Sequence, residues 1–171
     1  GRTAATMAYI EFGVMPDAVS MPKSMGGGMP IGACCARKKV AEALGSGTHG
    51  STYGGSPIAC ASALASISEI LDHHLSENAE EVGNYLMDQL RTLPHVKEVR
   101  GRGLLVGVEY DLPIAMEVKW GTFRRRALIT AIGDSINRMI PPLIASRKDV
   151  DRLVGKMREA IEEAAETLQA A

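Results

Sequence analysis

Lys23 lies in Met21-Pro22-Lys23-Ser24, after a short apolar segment and just before Gly26-Gly27-Gly28. A lysine beside a buried strand and a triple-glycine loop can have its ammonium partly desolvated, which lowers its pKa and frees an amine able to form a Schiff base. A solvated loop lysine is the competing reading. A second feature is Thr48-His49-Gly50-Ser51-Thr52-Tyr53-Gly54-Gly55. Small residues and the hydroxyls of Ser51 and Thr52, on a glycine-rich loop, can turn backbone N–H groups and side-chain donors toward a phosphate. The loop leads into Ser56-Pro57, a helix start that also favours an anion, and a flexible surface turn is the alternative. His49 reads as a turn or packing residue. The third feature is Arg138, a guanidinium in the otherwise apolar Ile136–Leu143 segment. Burial there calls for a negative partner, either an anionic ligand or an internal carboxylate.

These residues need elements to hold them. Ala5 to Phe12 is helix-like, and Ala18–Met21 and Ile31–Ala36 have the composition of short buried strands. Arg37 to Leu44 fits one short helix. Ser56-Pro57 opens a longer one, with an apolar stripe of Ile58, Ala61, Leu64, Ala65, Ile67 and Leu71. A second helix runs from Ser76 toward Pro94, its first turn acidic and Ala79, Val82, Leu86, Leu90 and Leu93 on one face. From Val96 the period shortens: Val99 and Gly103–Tyr110 read as strands joined at Gly101-Arg102-Gly103. Pro113–Arg126 is an amphipathic helix, Ala127–Ala131 and Ile136–Ile140 are short strands, and Gly133-Asp134 turns between them. After Pro141-Pro142, Ser146 and Asp149 form a capping box for a last helix striped by Val150, Leu153, Val154, Met157, Ile161, Ala165 and Leu168. The order gives an α/β fold, with residues 1–95 in one domain and a smaller α+β domain at 96–171.

Composition limits the function classes. The 171 residues carry a net charge of -1, with 19 Lys plus Arg against 20 Asp plus Glu, so no broad positive field marks a nucleic-acid or membrane-surface binder. There is no apolar run of membrane length and no export pattern, and a cytosolic protein is expected. Cys34, Cys35 and Cys60 contain no C-x-x-C pair, so neither a disulfide framework nor a metal site is expected. No carboxylate pair, HExxH or GxSxG occurs.

Six ordered blocks carry a resemblance: GRT at Gly1, MPKSMGGGMPIGA from Met21, HGSTYGG from His49, SPIACASA from Ser56, VRGRGLLVGVE from Val99 and RMIPPLI from Arg138. Together, over Gly1 to about Leu168, they resemble the class III aminotransferases that use pyridoxal phosphate, nearest the acetylornithine and ornithine aminotransferase branches. Ala4 after GRT and Pro22 before the lysine depart from the pattern. The resemblance implies fold type I, the chain being the latter part of the large cofactor domain plus the small C-terminal domain. It implies Lys23 as the Schiff-base lysine and proton carrier. Thr52, with Ser51 beside it, becomes a phosphate ligand lent across a homodimer interface, and Arg138 the clamp on a substrate α-carboxylate. The implied reaction moves an amino group from N-acetylornithine, or a related ω-amine, to 2-oxoglutarate, in arginine biosynthesis. The aspartate that pairs with the pyridine nitrogen, the phosphate loop, the ring-stacking aromatic and another substrate arginine are implied upstream of Gly1. Two alternatives accompany this: another class III enzyme (an ornithine or 4-aminobutyrate aminotransferase, or an aminomutase), or an inactive truncated fragment.

Overall fold

The computed structural model describes residues 1–21 and 23–170, the side chain of Lys23 excepted. Two compact units divide the chain: Gly1–Ala8 with Leu75–Ala171, and Tyr9–His74. The short helix α1 (Ala8–Glu11) runs along the chain from the first into the second. It is a single turn, shorter than the apolar pattern over Ala5 to Phe12 suggests, since residues 5–7 are not helical; Gly13 at φ +62 follows its end.

In the unit of Tyr9–His74, β1 (Ala18–Met21) pairs antiparallel with β2 (Ala33–Ala36), Ala18 opposite Ala36 and Met21 opposite Ala33. Between them Lys23–Gly26 forms a 3-10 turn. A one-turn helix α2 (Lys38–Ala41) and a long loop lead to α3 (Pro57–Asp72). Two expectations fail here. The strands are largely exposed, because they form only a two-stranded ribbon. The apolar stripe of α3 is also exposed, with Ile58, Leu64, Ile67 and Leu71 all open to solvent. The face that packs is the small one. Ala59 and Ala63 are buried, Ser62 and Ser66 are half-buried, and these four positions follow the i, i+3, i+4, i+7 spacing of one helix face.

The other unit is built on a four-stranded antiparallel sheet of β3 (Val96–Arg102), β4 (Leu105–Tyr110), β5 (Thr130–Ile132) and β6 (Ile136–Met139), in the order β3-β4-β6-β5. Three helices, α4 (Leu75–Leu90), α5 (Ala115–Arg124) and α6 (Arg147–Gln169), complete it. Alternation along β4 sends Val106, Val108 and Tyr110 into the core and leaves Leu105, Gly107 and Glu109 on the open face. Leu86, Leu90, Leu104, Ile114, Met139, Met157 and Ile161 fill the core. The β3–β4 connection lies at Gly103-Leu104, a little beyond the expected Gly101-Arg102-Gly103. A polar pair is buried within this core: the Tyr110 hydroxyl donates to Asn137 Oδ1 at 2.9 Å, and Asn137 Nδ2 donates to the Ala115 carbonyl at 2.9 Å. With Asn137 fixed inward, the pleat turns its neighbour Arg138 outward.

The capping box expected before α6 is present: Asp149 N–H donates to Ser146 Oγ, and Ser146 N–H donates to Asp149 Oδ2 at 3.0 Å. The Ser146 hydroxyl, then its backbone N–H, hold the Asp149 carboxyl below its usual range. Arg125, then Arg124, do the same for Glu163. A depressed carboxyl stabilises the fold above the unfolded value, near pH 4, and that contribution is lost as pH falls through the folded value. Ser146→Ala is expected to cost about 1 kcal/mol and to shrink the loss of thermal midpoint below about pH 4. Midpoints recorded from pH 7 to pH 2 check this, and a variant with the parental acid limb would refute it.

Candidate active site

Lys23 opens the 3-10 turn directly after β1, so the backbone leaves the ribbon at this residue; its side chain, and Pro22, lie outside the described residues. The turn is moored to α3. Ser62 Oγ donates to the carbonyl of the buried Gly26 at 2.8 Å, and Ser66 Oγ donates back to the Ser62 carbonyl at 2.9 Å. Gly27 has φ +56, and a Cβ there would collide with Ser66 Oγ. The small face of α3 is therefore what lets the glycine loop approach and fixes where the backbone of Lys23 begins.

Ser51 and Thr52 lie on the exposed loop before α3. Among the described residues, no backbone N–H from His49 to Gly55 donates to another backbone group. Among the described residues neither the Ser51 nor the Thr52 hydroxyl has a hydrogen-bond acceptor, whereas the neighbouring Thr48 hydroxyl donates to the Gly45 carbonyl at 2.7 Å. The loop thus presents uncommitted donors ahead of a helix N-terminus, which is the donor set an anion requires. Ser56 stands at the N-cap with Pro57 following, but its side chain makes no capping hydrogen bond.

Arg138 belongs to the other unit, so Lys23, Ser51 and Thr52 share one compact unit and Arg138 does not. Its side chain is exposed, contrary to the burial its apolar neighbours suggest, because it points to the uncovered face of the sheet. Gly107 lies opposite Arg138 on one side and opposite Arg100 on the other. Without a side chain at Gly107, the sheet face has a recess of about 550 Å3, lined by both arginines, Arg102, Ile132 and Ile136. The two cations differ in state. Arg100 Nη1 is 2.8 Å from both Glu98 Oε2 and Glu109 Oε2, and hydrogen bonds from Lys97 and Arg100 hold the Glu109 carboxyl below its usual range. Arg138 has no carboxylate partner among the described residues, so the internal salt bridge considered for it is not formed. An unpaired guanidinium over a glycine, with isoleucines beside it, suits a carboxylate bound in bidentate fashion.

Sequence reasoning missed the groups that hold these residues. Ser62 and Ser66 were visible only as members of a helix. Arg2 was visible only as part of GRT. Its Nη1 donates to the Leu104 carbonyl at 3.4 Å and, at shorter range, to the Pro141 carbonyl. Asn78 Nδ2 donates to the carbonyls of Leu143 at 2.6 Å and Ala145 at 3.1 Å. The signal for the last two was Pro141-Pro142, a pair without backbone N–H groups whose neighbourhood needs donors from elsewhere.

Among the described residues no group of His, Cys, Asp and Glu is arranged to hold a metal ion, and no helix is long and apolar enough to cross a membrane.

Residues 1–161 match the family described as Aminotransferase class-III. The chain is 40% identical over 166 residues to the acetylornithine aminotransferase of Clostridium acetobutylicum, covering 94% of this chain and 43% of that protein. It is 39% identical to that of Methanothermobacter thermautotrophicus, with 94% and 42% covered. Among solved structures, it resembles the ornithine aminotransferase of Toxoplasma gondii, whose active site holds pyridoxal phosphate at partial occupancy. The TM-score is 0.88 at 32% identity, covering 97% of this chain and 41% of that one. The acetylornithine aminotransferase of Elizabethkingia anophelis gives 0.85 at 30% identity, over 95% and 43%. The chain therefore spans about two-fifths of the length of these relatives.

Proposed function

The chain belongs to the class III aminotransferase family, and on that premise we propose that it is the latter part of a pyridoxal-phosphate enzyme moving an amino group from N-acetylornithine, or a related ω-amine, to 2-oxoglutarate. The observation that carries this is the mooring of the Lys23 turn, which fixes the start of a lysine by hydrogen bonds and close backbone approach rather than leaving it on a free loop.

The residues fit the cofactor. Lys23 supplies an amine for its aldehyde, and the uncommitted donors of Ser51, Thr52 and their neighbours suit its phosphate. When bound, pyridoxal phosphate supplies an electron sink for the pair left as a proton leaves the substrate carbon. The chain's own residues do the rest. Lys23 Nζ, once free, takes the proton from the carbon bearing the amine and returns it to the acceptor side. Arg138 fixes the α-carboxylate, and the Gly107 recess gives that carboxylate room. In this reading the Ser51-Thr52 loop serves the cofactor of a second subunit in a homodimer; its exposure, with Tyr53 84% open, supports that use. We assign the cofactor domain to residues 1–95 and the small domain to 96–171, although by packing residues 1–8 and α4 go with the latter. The reaction would belong to arginine biosynthesis in the cytoplasm.

The test is glutamate formation by the native polypeptide that carries this chain, with N-acetylornithine, ornithine and 4-aminobutyrate in competition. Similarity to the Toxoplasma enzyme makes ornithine the second donor to weigh. No glutamate from any donor would sink the proposal. Arg138→Gln is expected to remove about 2–3 kcal/mol of charge-assisted binding, roughly 30- to 150-fold in kcat/KM for carboxylate-bearing partners, mostly through KM. An unchanged KM for 2-oxoglutarate and the amino donor alike would refute the role given to Arg138.

A further inference from the structure

The backbone after Arg138 cannot complete its own sheet. The β4–β6 ladder runs Glu109 to Ile136, Val108 to Asn137, Gly107 to Arg138 and Val106 to Met139, then stops. In that register Leu104 falls opposite Pro141, and neither Pro141 nor Pro142 has an N–H to give. Packing holds the segment only in part: Leu143 and Ala145 reach the core, but the residues between and before them do not. It lines an apolar cleft of about 600 Å3, and Ile140 and Ile144 are 47% and 71% exposed. Asn78 ties its far end through the Leu143 and Ala145 carbonyls, and next to the ladder it is held by the guanidinium of Arg2, donating to the carbonyls of Leu104 and Pro141. Arg2 is itself held, since its carbonyl accepts from Leu104 N–H at 2.9 Å and the Gly103 backbone lies directly against residues 2–4. The guanidinium acts as an added rung, joining β4 to the end of β6 where the prolines leave no backbone bond. Arg138 is the residue before the last natural rung, so its backbone position depends on whether the strands stay together beyond Met139.

We propose that Arg2 is a positioning residue for Arg138: its rung across Leu104 and Pro141 sets how the open face of the sheet presents the guanidinium to a carboxylate. This rests on the role given to Arg138 above.

The experiment uses the native polypeptide that carries this chain, loaded with pyridoxal phosphate. It compares two donors, ornithine and the diamine of the same length that lacks the carboxylate. The readout is the ratio of their kcat/KM values, together with the thermal midpoint. Arg2→Gln is expected to lower the ratio about tenfold through KM for ornithine. Arg2→Lys, whose ammonium cannot span both carbonyls as a planar fork does, is expected to lower it about threefold. A purely structural role would move the midpoint and both donors in parallel, leaving the ratio as it was, and would overturn the proposal. Arg138→Gln separates the two levels. If it lowers the ratio while both Arg2 variants do not, the positioning role alone falls; if it does not lower the ratio, the carboxylate assignment falls and this inference with it. Should Arg2→Gln fail to fold, Arg2→Lys decides: an unchanged ratio overturns the proposal and a lowered one supports it.

Discussion

Lys23→Ala is expected to abolish covalent capture of the B6 aldehyde and to cut amino transfer by at least about a thousandfold. Two losses combine. The amine that tethers the aldehyde is gone, so cofactor is held only by its phosphate and ring contacts. The base that moves the proton is gone as well, and a positioned general base alone is worth about 100- to 10,000-fold. The neighbouring lysines are poor substitutes: Lys38 and Lys39 lie on α2, beyond the ribbon and exposed, with no glycine loop to fix their approach. Borohydride reduction of the saturated native polypeptide, followed by peptide mapping, should find the pyridoxyl group on the peptide containing position 23 in the parent and on no single peptide in the variant. Added small primary amines should restore part of the proton transfer but none of the peptide label. A label that stayed on Lys38 or Lys39 with normal turnover would reject Lys23 as the tether.

What could be read from the amino-acid string, and what could not, follows from the range of the interactions. The capping box of α6 and the alternation of β4 are decided by neighbours two to four residues apart, and both were legible. The proposed site residues were picked out by their chemistry and by the order of the six blocks. The faces of α3 were not. Periodicity marked Ile58, Leu64, Ile67 and Leu71 as the packing stripe, yet hydrophobicity does not say whether anything covers a face. The packed face is made of alanine and serine because a glycine backbone must come close to it, and small residues give no apolar signal. The exposure of Arg138 was not legible for a related reason: its apolar neighbours in sequence point to both faces of one strand. Arg2 and Asn78 were invisible as tethers, since their partners lie 139 and 65 residues along the chain at Pro141 and Leu143.

Gly83→Ala is expected to be the most damaging single methyl addition in the unit that carries Arg138. Gly83 is in the middle of α4, where alanine would ordinarily help by its better helix propensity. A Cβ there would instead overlap the carbonyl, C and Cα of Gly103, all backbone atoms that cannot rotate aside. On its other side Gly103 abuts the backbone of residues 2–4, at φ +50, so the turn has no free direction in which to retreat. Helix, turn and the Arg2 segment are three backbones in contact, and one methyl must push them apart. An overpacking penalty of about 2–3 kcal/mol follows, or roughly 10–15 °C in thermal midpoint for a unit of this size. Gly155→Ala is the matched control: it lies on the exposed face of α6 with nothing near its Cβ, and should stabilise by about 0.5–1 kcal/mol. The same chemical change thus has opposite signs at two helical glycines. Because the displaced turn is pressed against residues 2–4 and shifts Leu104 relative to the Arg2 guanidinium, Gly83→Ala should also lower the donor ratio used to test the Arg2 rung. A Gly83 variant as stable as the Gly155 variant would show that the three backbones are not in contact.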